Sequence, residues 1–147
     1  MRAVVQRVKQ SSVTVSGEVI GAIDKGLMVL IAIAETDTED TVKWFTNKLM
    51  NLRIFEDEDG KMNKSLVNIN GDMLVISNFT LYGDAKKGFR PSFGNSAEPI
   101  FAENIYNKLI DSLKHNFPKV KIETGQFGAM MDVMLINDGP VTIIIEK

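Results

Sequence analysis

The stretch of residues 73–83, Met-Leu-Val-Ile-Ser-Asn-Phe-Thr-Leu-Tyr-Gly, predicts the central strand of the fold. It begins as a continuous apolar run after the turn signal at residues 70–72, which is typical of a buried strand. Ser77, Asn78 and Thr80 then bring small polar side chains into the same segment. A buried polar group costs about 1–3 kcal/mol unless it is paired. These residues therefore indicate either a site at the end of the strand or exposure on its solvent face.

A basic loop follows directly, in residues 84–94. It is bounded by glycine, contains two phenylalanines, and carries the cations Lys86, Lys87 and Arg90. A strand that turns polar and runs into a basic loop is typical of the edge of a site for an anionic ligand. The alternative is a solvated surface loop, and the spacing of the residues leaves both interpretations open.

The composition is that of an ordinary globular protein. The chain has 147 residues, 44% hydrophobic and 24% charged, and this length suits one domain, residues 1–147. The absence of cysteine excludes disulfides and thiolate metal sites, and the net charge of −2 disfavours broad binding of nucleic acid. No apolar run approaches the roughly 20 residues that span a bilayer, and the start does not resemble a signal peptide. We therefore expect a cytoplasmic protein.

The hydrophobic pattern predicts strands, a helix, strands, a second helix and strands. Helices are predicted at residues 38–51, with N-cap oxygens at residues 36–38, and at residues 97–116, with Ser96 as the cap. Strand signals lie at residues 2–9, 12–16, 19–23, 27–34, 53–56, 73–76, 119–124, 130–136 and 141–145. Residues 137–139 have the composition of a turn. We predict an α/β fold: a single mixed domain with a β-rich, barrel-like core and two main helices.

The residues available for catalysis are few. His115 is the only histidine and sits in a polar context near a helix end, so we expect it to be exposed. Zinc-ligand pairs and a nucleophile elbow are absent, and a catalytic triad would depend on His115. An enzyme with this sequence would act through backbone N–H groups, serine or threonine hydroxyls, and groups of the substrate. The metal ligands that the sequence still offers are carboxylates.

Several motifs resemble those of the D-aminoacyl-tRNA deacylases, in one register over the whole chain. The most specific are Ser-Asn-Phe-Thr-Leu-Tyr-Gly at residues 77–83, Gly-Phe-Arg-Pro-Ser-Phe at residues 88–93 and Gly-Pro-Val-Thr at residues 139–142. Further similar segments are residues 1–8, 37–38, 51–55 and 125–131. Asn78 stands where the family usually has glutamine, which is one methylene longer. This difference bears on a side-chain contact and not on a role for the backbone at Asn78 or Phe79.

The resemblance implies a homodimeric enzyme without metal or cofactor. The family hydrolyses the ester between a D-amino acid and the 3′-terminal ribose of tRNA, acts also on glycyl-tRNA, and relies largely on the ribose 2′-hydroxyl and on backbone contacts. Thr80 would be a weak nucleophile, because its hydroxyl has no base nearby in the sequence. The implied site comprises Ser77, Asn78, Phe79 and Thr80 at the ester end, Phe127, Gly128, Ala129 and Met131 at the terminal adenosine, and Lys86, Lys87 and Arg90 at phosphates.

Gly139 and Pro140 carry the second half of the implied site. From the sequence alone, Asp138-Gly139 has the composition of a plain hairpin turn. The resemblance implies the family's Gly-cis-Pro motif, which each subunit inserts into the pocket of its partner. Its rigid carbonyl groups would collide with the side chain of an L-amino acid and leave room for a D-amino acid, so selection would act by exclusion.

Three functions are to be distinguished. The first is the deacylase. The second is a non-catalytic dimeric protein that binds an RNA end in the same pocket without turnover. The third is a structural dimerisation domain, whose strands merely pair and which has no pocket. Multiple turnover on D-aminoacyl-tRNA separates the first from the second, and a pocket in the structure would count against the third.

Overall fold

One long N-terminal strand organises the fold. The computed structural model describes residues 1–147, and the first strand pairs with three others. In chain order the elements are β1 (Arg2–Val15), β2 (Glu18–Ile23), β3 (Gly26–Ala32), α1 (Glu39–Asn51), β4 (Phe55–Glu56), β5 (Met62–Lys64), β6 (Asp72–Ser77), a 3₁₀ turn (Phe79–Tyr82), α2 (Pro99–Asn116), β7 (Ile122–Thr124) and β8 (Asp132–Glu146). The strands β4 and β5 form a small sheet of their own, and the other six form one sheet.

The main sheet has the order β2-β1-β3-β6-β7. The long strand β1 pairs with β3 through its first half and with β2 through its second half, and β8 pairs with both halves of β1 along its opposite edge. The sheet curls so that its end strands β2 and β7 come close together: the side chain of Lys121, just before β7, donates a hydrogen bond to the carbonyl of Ala22 in β2 at 2.8 Å. A Cβ atom on Gly21 of β2 would lie 3.0 Å from the carbonyl oxygen of Thr124 in β7. The sheet is therefore nearly closed, and the predicted barrel-like core is confirmed.

The predicted central strand is confirmed as β6, which pairs in parallel with β3 and β7. Its side chains alternate between two apolar clusters: Met73 and Val75 pack towards the helices, while Leu74 and Ile76 face the interior of the curled sheet. All four are buried, and each contributes roughly 1.5–3 kcal/mol relative to exposure. Burial on both faces explains the continuous apolar run in the sequence.

The two predicted helices are confirmed and pack together against one face of the sheet. The helix α1 starts where the sequence predicts, because Thr38 caps it. The Thr38 hydroxyl accepts from the N–H of Thr41, and the Thr41 hydroxyl accepts from the N–H of Thr38 at 3.2 Å. Neither helix is long and apolar enough to cross a membrane.

The start of α2 and the length of β1 differ from the prediction. The helix begins at Pro99, and Ser96 is not its cap, since Glu98 holds the N-cap position without a side-chain hydrogen bond. Proline decides this start because its φ is already helical and its missing N–H is not needed in the first turn. The strand β1 is continuous over 14 residues, where the sequence predicts two strands at residues 2–9 and 12–16.

The last two predicted strands, residues 130–136 and 141–145, are also a single strand, β8, so the turn predicted at residues 137–139 is wrong. Both halves pair with β1 in the same antiparallel direction, and the register shifts between them. The intervening residues form a bulge. The side-chain oxygen of Asn137 accepts from the N–H of Val141 at 3.1 Å and stabilises the bulge locally.

Candidate active site

A cavity of about 640 Å³ opens at the carboxyl ends of β3 and β6. Four parts of the chain surround it: the end of β3, the path from β6 into the 3₁₀ turn, the loop between β7 and β8, and the approach to α2. The lining residues are 30–33, 76–80, 93, 96–99, 102, 127–131 and 133. The volume suits a small ligand or the end of a larger one. A pocket is therefore present, which counts against a purely structural dimerisation domain.

Asn78 shapes the first wall of the cavity. Its backbone N–H donates to the carbonyl of Ile31 at 2.7 Å, which extends the β3–β6 pairing by one residue. Its side-chain oxygen accepts from the N–H of Thr80 at 3.2 Å and from the Thr80 hydroxyl, so Asn78 caps the 3₁₀ turn. Phe79 and Thr80 are exposed at the start of this turn. The side-chain amide of Asn78 is therefore engaged within the chain.

The loop between β7 and β8 forms the second wall. Phe127, Gly128, Ala129 and Met131 all line the cavity, opposite the predicted ester end. The ring of Phe127 packs on that of Tyr106, with 5.8 Å between the centroids, which attaches the loop to α2. The structure thus brings the two predicted groups, residues 77–80 and 127–131, together around one cavity.

Sequence reasoning missed the third wall, at the approach to α2. Ser96, Glu98 and Pro99 line the cavity because the N–H of Ala97 donates to the carbonyl of Ile33 at 2.9 Å. This contact joins residues more than sixty positions apart, and no local pattern signals it. Phe93 also lines the cavity and packs edge-on against Phe79 at 5.1 Å. The sequence signal that could have placed Phe93 at the site is the motif Gly-x-Arg-Pro-Ser-Phe, which ends in this residue.

The cavity holds almost no acid–base machinery. Glu98 is the one titratable side chain among the lining residues. His115 is exposed on α2 and does not line the cavity, as predicted from its polar context. Burial raises the pKa of Tyr106, and its hydroxyl donates to the carbonyl of Val75 at 2.9 Å, so this group serves the packing of α2 on β6. No group of three or more acidic or histidine side chains is arranged to hold a metal ion.

The basic residues Lys86, Lys87 and Arg90 lie outside the cavity. They are exposed on the loop that joins Gly83 to Phe93. This loop leaves and rejoins the fold beside the cavity, because Phe93 is one of the lining residues. The three cations are therefore near the mouth of the site and not within it.

Gly139 and Pro140 do not line the cavity of their own chain. They are exposed at the bulge of β8, and the peptide bond between them is cis. Arg7, which is 6% exposed, holds the bulge in place. Its Nε donates to the carbonyl of Asp138 at 3.2 Å, and its Nη1 donates to the carbonyl of Ile54 at 2.7 Å. A contact between Gly139-Pro140 and such a cavity therefore requires a second copy of the chain.

Comparison with known proteins gives a consistent family. The family described as "D-Tyr-tRNA(Tyr) deacylase" matches residues 4–146. A D-aminoacyl-tRNA deacylase of Clostridium acetobutylicum is 54% identical over 147 residues, which are all of this chain and 97% of the relative. Deacylases of Desulfatibacillum aliphaticivorans and Brevibacillus brevis are each 53% identical over the whole chain, covering 99% and 100% of those relatives.

Two solved structures share the fold. One is described as a c-Myc DNA unwinding element binding protein; it is 42% identical, with a TM-score of 0.94 over 100% of this chain and 99% of the other. The second is described as "a probable eukaryotic D-amino acid tRNA deacylase" and superposes with a TM-score of 0.84 over 98% and 97% of the two chains. At 17% identity, the second structure supports the fold alone.

Proposed function

The chain belongs to the D-Tyr-tRNA(Tyr) deacylase family and has the deacylase activity of its relatives on D-aminoacyl-tRNA, and from this premise we propose how its cavity performs the reaction. The observation that carries the proposal is the meeting of residues 77–80 and 127–131 around one cavity. The first group takes the ester and the second takes the terminal adenosine. The reaction is hydrolysis: water adds to the ester carbonyl, and the 3′-oxygen of the ribose leaves with a proton.

The backbone at the start of the 3₁₀ turn polarises the ester carbonyl. The N–H groups of Asn78 and Thr80 already donate to Ile31 and to the Asn78 side chain, which leaves the N–H of Phe79 as the donor. A fixed N–H donor stabilises the charge that develops on a carbonyl oxygen. Asn78 holds this backbone by its two contacts with Thr80. As membership of the family implies, the ribose 2′-hydroxyl of the substrate directs the attacking water, and Glu98 is the one titratable group in the lining.

Chiral selection comes from a second subunit. Gly139 and Pro140 of the partner subunit enter the cavity and exclude the side chain of an L-amino acid by contact with their carbonyl groups. The surface around this motif supports a homodimer, since β8 leaves the apolar side chains of Met134, Ile136 and Ile144 exposed (62%, 47% and 68%). Glycine has no side chain to exclude, so glycyl-tRNA is also a substrate.

A turnover experiment tests the proposed function. With substoichiometric protein, each chain should release many equivalents of D-tyrosine from D-tyrosyl-tRNA, and Ala129→Phe should abolish release by filling the cavity. Val19→Lys, at a side chain that is 63% exposed on β2, is the matched control and should leave the rate unchanged. Tight binding without turnover would contradict the enzyme and favour the RNA-end binder. The names of the relatives do not favour that alternative. The site of action is the cytoplasm, where aminoacyl-tRNA is used.

A further inference from the structure

The loop of residues 84–92 is an ordered projection beside the cavity. The backbone of Asp84 and Ser92 closes it with a pair of hydrogen bonds of 2.8 and 2.9 Å. Inside the loop, the N–H of Lys86 donates to the carboxylate of Asp84 at 2.9 Å, and Gly88 has a φ of 70° that turns the chain. The base of the loop is therefore fixed, and its tip extends into solvent.

Phe89 stands fully exposed at this tip, with a relative exposure of 106%. Its ring takes part in none of the aromatic pairs of the structure. An exposed phenylalanine forgoes the stabilisation that burial would give its ring, so the fold itself does not explain its position. The neighbouring cations Lys86, Lys87 and Arg90 form no ion pair within the chain. One exposed ring and three unpaired positive charges therefore share a loop of nine residues, on a chain whose net charge is −2.

The loop is attached to the mouth of the cavity. Phe93 follows the loop, lines the cavity, and packs edge-on against Phe79 at 5.1 Å. Gly83 precedes the loop, and a Cβ atom there would lie 3.1 Å from the Phe93 ring. A nucleotide chain whose terminal ribose occupies the cavity would leave it past this loop.

An exposed aromatic ring among cations suits unpaired nucleotides. Bases stack on such a ring whatever their identity, and lysine and arginine neutralise the adjoining phosphates. We propose that Phe89 stacks on an unpaired base of the substrate's single-stranded 3′ segment, upstream of the terminal adenosine. Lys86, Lys87 and Arg90 contact the phosphates of the same segment. This inference rests on the proposed function and adds a subsite outside the cavity.

Two substrates separate this subsite from the cavity. D-tyrosyl-tRNA carries the upstream nucleotides, whereas adenosine esterified with D-tyrosine fills only the cavity. Phe89→Ala should lower kcat/KM for the tRNA by about tenfold, within the range given by base stacking, and leave kcat/KM for the adenosine ester unchanged. Phe89→Trp should restore the rate on tRNA. Met62→Ala is the matched control, because Met62 is 54% exposed on β5 and distant from the loop in sequence.

Direct binding gives a second readout that needs no turnover. In a Trp44→Phe background, which removes the only other tryptophan, the fluorescence of Phe89→Trp should be quenched by the unacylated trinucleotide CCA. An additional Lys87→Ala change should weaken this binding and reduce its dependence on salt.

Equal losses on tRNA and adenosine ester for Phe89→Ala would overturn the inference, because the loop would then act by shaping the cavity. Unchanged rates on both substrates, or no quenching by CCA, would also overturn it. If the wild-type protein hydrolyses neither substrate, the proposed function fails, and the fluorescence experiment still decides whether Phe89 meets an unpaired base.

Discussion

At the scale of single residues, the contacts of Thr80 indicate that a hydroxyl in the proposed active site need not be a nucleophile. Its Oγ1 donates to the side-chain oxygen of Asn78, which also accepts from the N–H of Thr80. A nucleophilic threonine needs a base to take its proton, and a neutral amide oxygen is not one. Glu98 is the one carboxylate in the lining, and it has no hydrogen bond to Thr80. The hydroxyl therefore fixes the turn.

Thr80→Val should lower kcat on D-tyrosyl-tRNA by less than about tenfold, because the backbone donors remain. Removing a true nucleophile costs on the order of 10⁶ in kcat. Asn78→Ala should lower the rate at least as much as Thr80→Val, since it removes the cap of the turn as well. Single-turnover rates for the two variants check this, and a loss above about a thousandfold for Thr80→Val alone would assign Thr80 a chemical role.

At the scale of elements, the bulge of β8 depends on Arg7. This buried side chain bonds to the carbonyls of Asp138 and Ile54, and its Nε lies 3.3 Å from the Asp138 carboxylate. Hydrogen bonds from a charged donor contribute about 1.5–3 kcal/mol each. Arg7 therefore acts as a positioning residue for the segment that contains Gly139 and Pro140.

Arg7→Met keeps much of the packing volume and removes these bonds. We expect the ratio of D-tyrosine to L-tyrosine release to fall by at least tenfold, because the bulge no longer holds its position, while some D-tyrosine release persists. Arg53→Met is the matched control, as Arg53 is exposed and bonds to Asn63 on the surface. Denaturant unfolding of both variants separates lost stability from lost selectivity, and an unchanged ratio in a folded Arg7→Met protein would refute the positioning role.

Two tyrosines with raised pKa values predict that the free energy of unfolding depends on pH. Burial raises the pKa of Tyr106, and burial together with Asp37 and Glu146 raises the pKa of Tyr82 to about 12. Both folded pKa values exceed the unfolded value of about 10. The contribution of the two protonated tyrosines to the free energy of unfolding is therefore fully present below pH 10. It is lost as the pH rises through their pKa values in the folded protein.

The free energy of unfolding should thus fall more steeply above pH 10 in the wild-type protein than in a Tyr82→Phe/Tyr106→Phe variant, which lacks both tyrosines of the chain. At neutral pH, Tyr106→Phe should cost about 1 kcal/mol for the lost hydrogen bond to Val75. At neutral pH the control is Tyr82→Phe, which leaves the hydrogen bond from Tyr106 to Val75 in place. Chemical denaturation between pH 7 and 11 provides the test, and parallel pH profiles would contradict the assignment.

How far the sequence predicts each element depends on whether its signal is local. The apolar run of β6, the Thr38 cap of α1 and the hydrophobic pattern of the two helices are local signals, and these elements are confirmed. The unbroken course of β8 is not local, because a turn-like segment at residues 137–139 becomes a bulge only when both halves pair with β1. The wall at residues 96–99 depends on the distant contact between Ala97 and Ile33. The roles of the site residues came from motifs and stay predictions.

At the scale of the whole molecule, the proposed account needs two copies of the chain. The cavity of one chain lacks Gly139 and Pro140, which stand exposed on β8 along with the apolar side chains of Met134, Ile136 and Ile144. Charges placed at these apolar side chains should separate the subunits, since an unpaired charge cannot be buried in an interface without a large cost.

Met134→Lys/Ile144→Lys should therefore give a monomer by sedimentation analysis. Its cavity would lack the excluding carbonyl groups of the partner, so the ratio of D-tyrosine to L-tyrosine release should fall towards one. Val19→Lys, on the exposed side of β2, should stay dimeric and selective. A monomer that keeps its selectivity would show that each chain selects alone.

The most direct test of the central claim is the release of D-tyrosine and L-tyrosine from matched charged tRNAs, measured side by side with a chelator present. The account predicts fast, multiple-turnover release of D-tyrosine, slow release of L-tyrosine, and no effect of the chelator. Equal rates for the two enantiomers would contradict chiral selection by this cavity, and the absence of release from either tRNA would contradict catalysis itself.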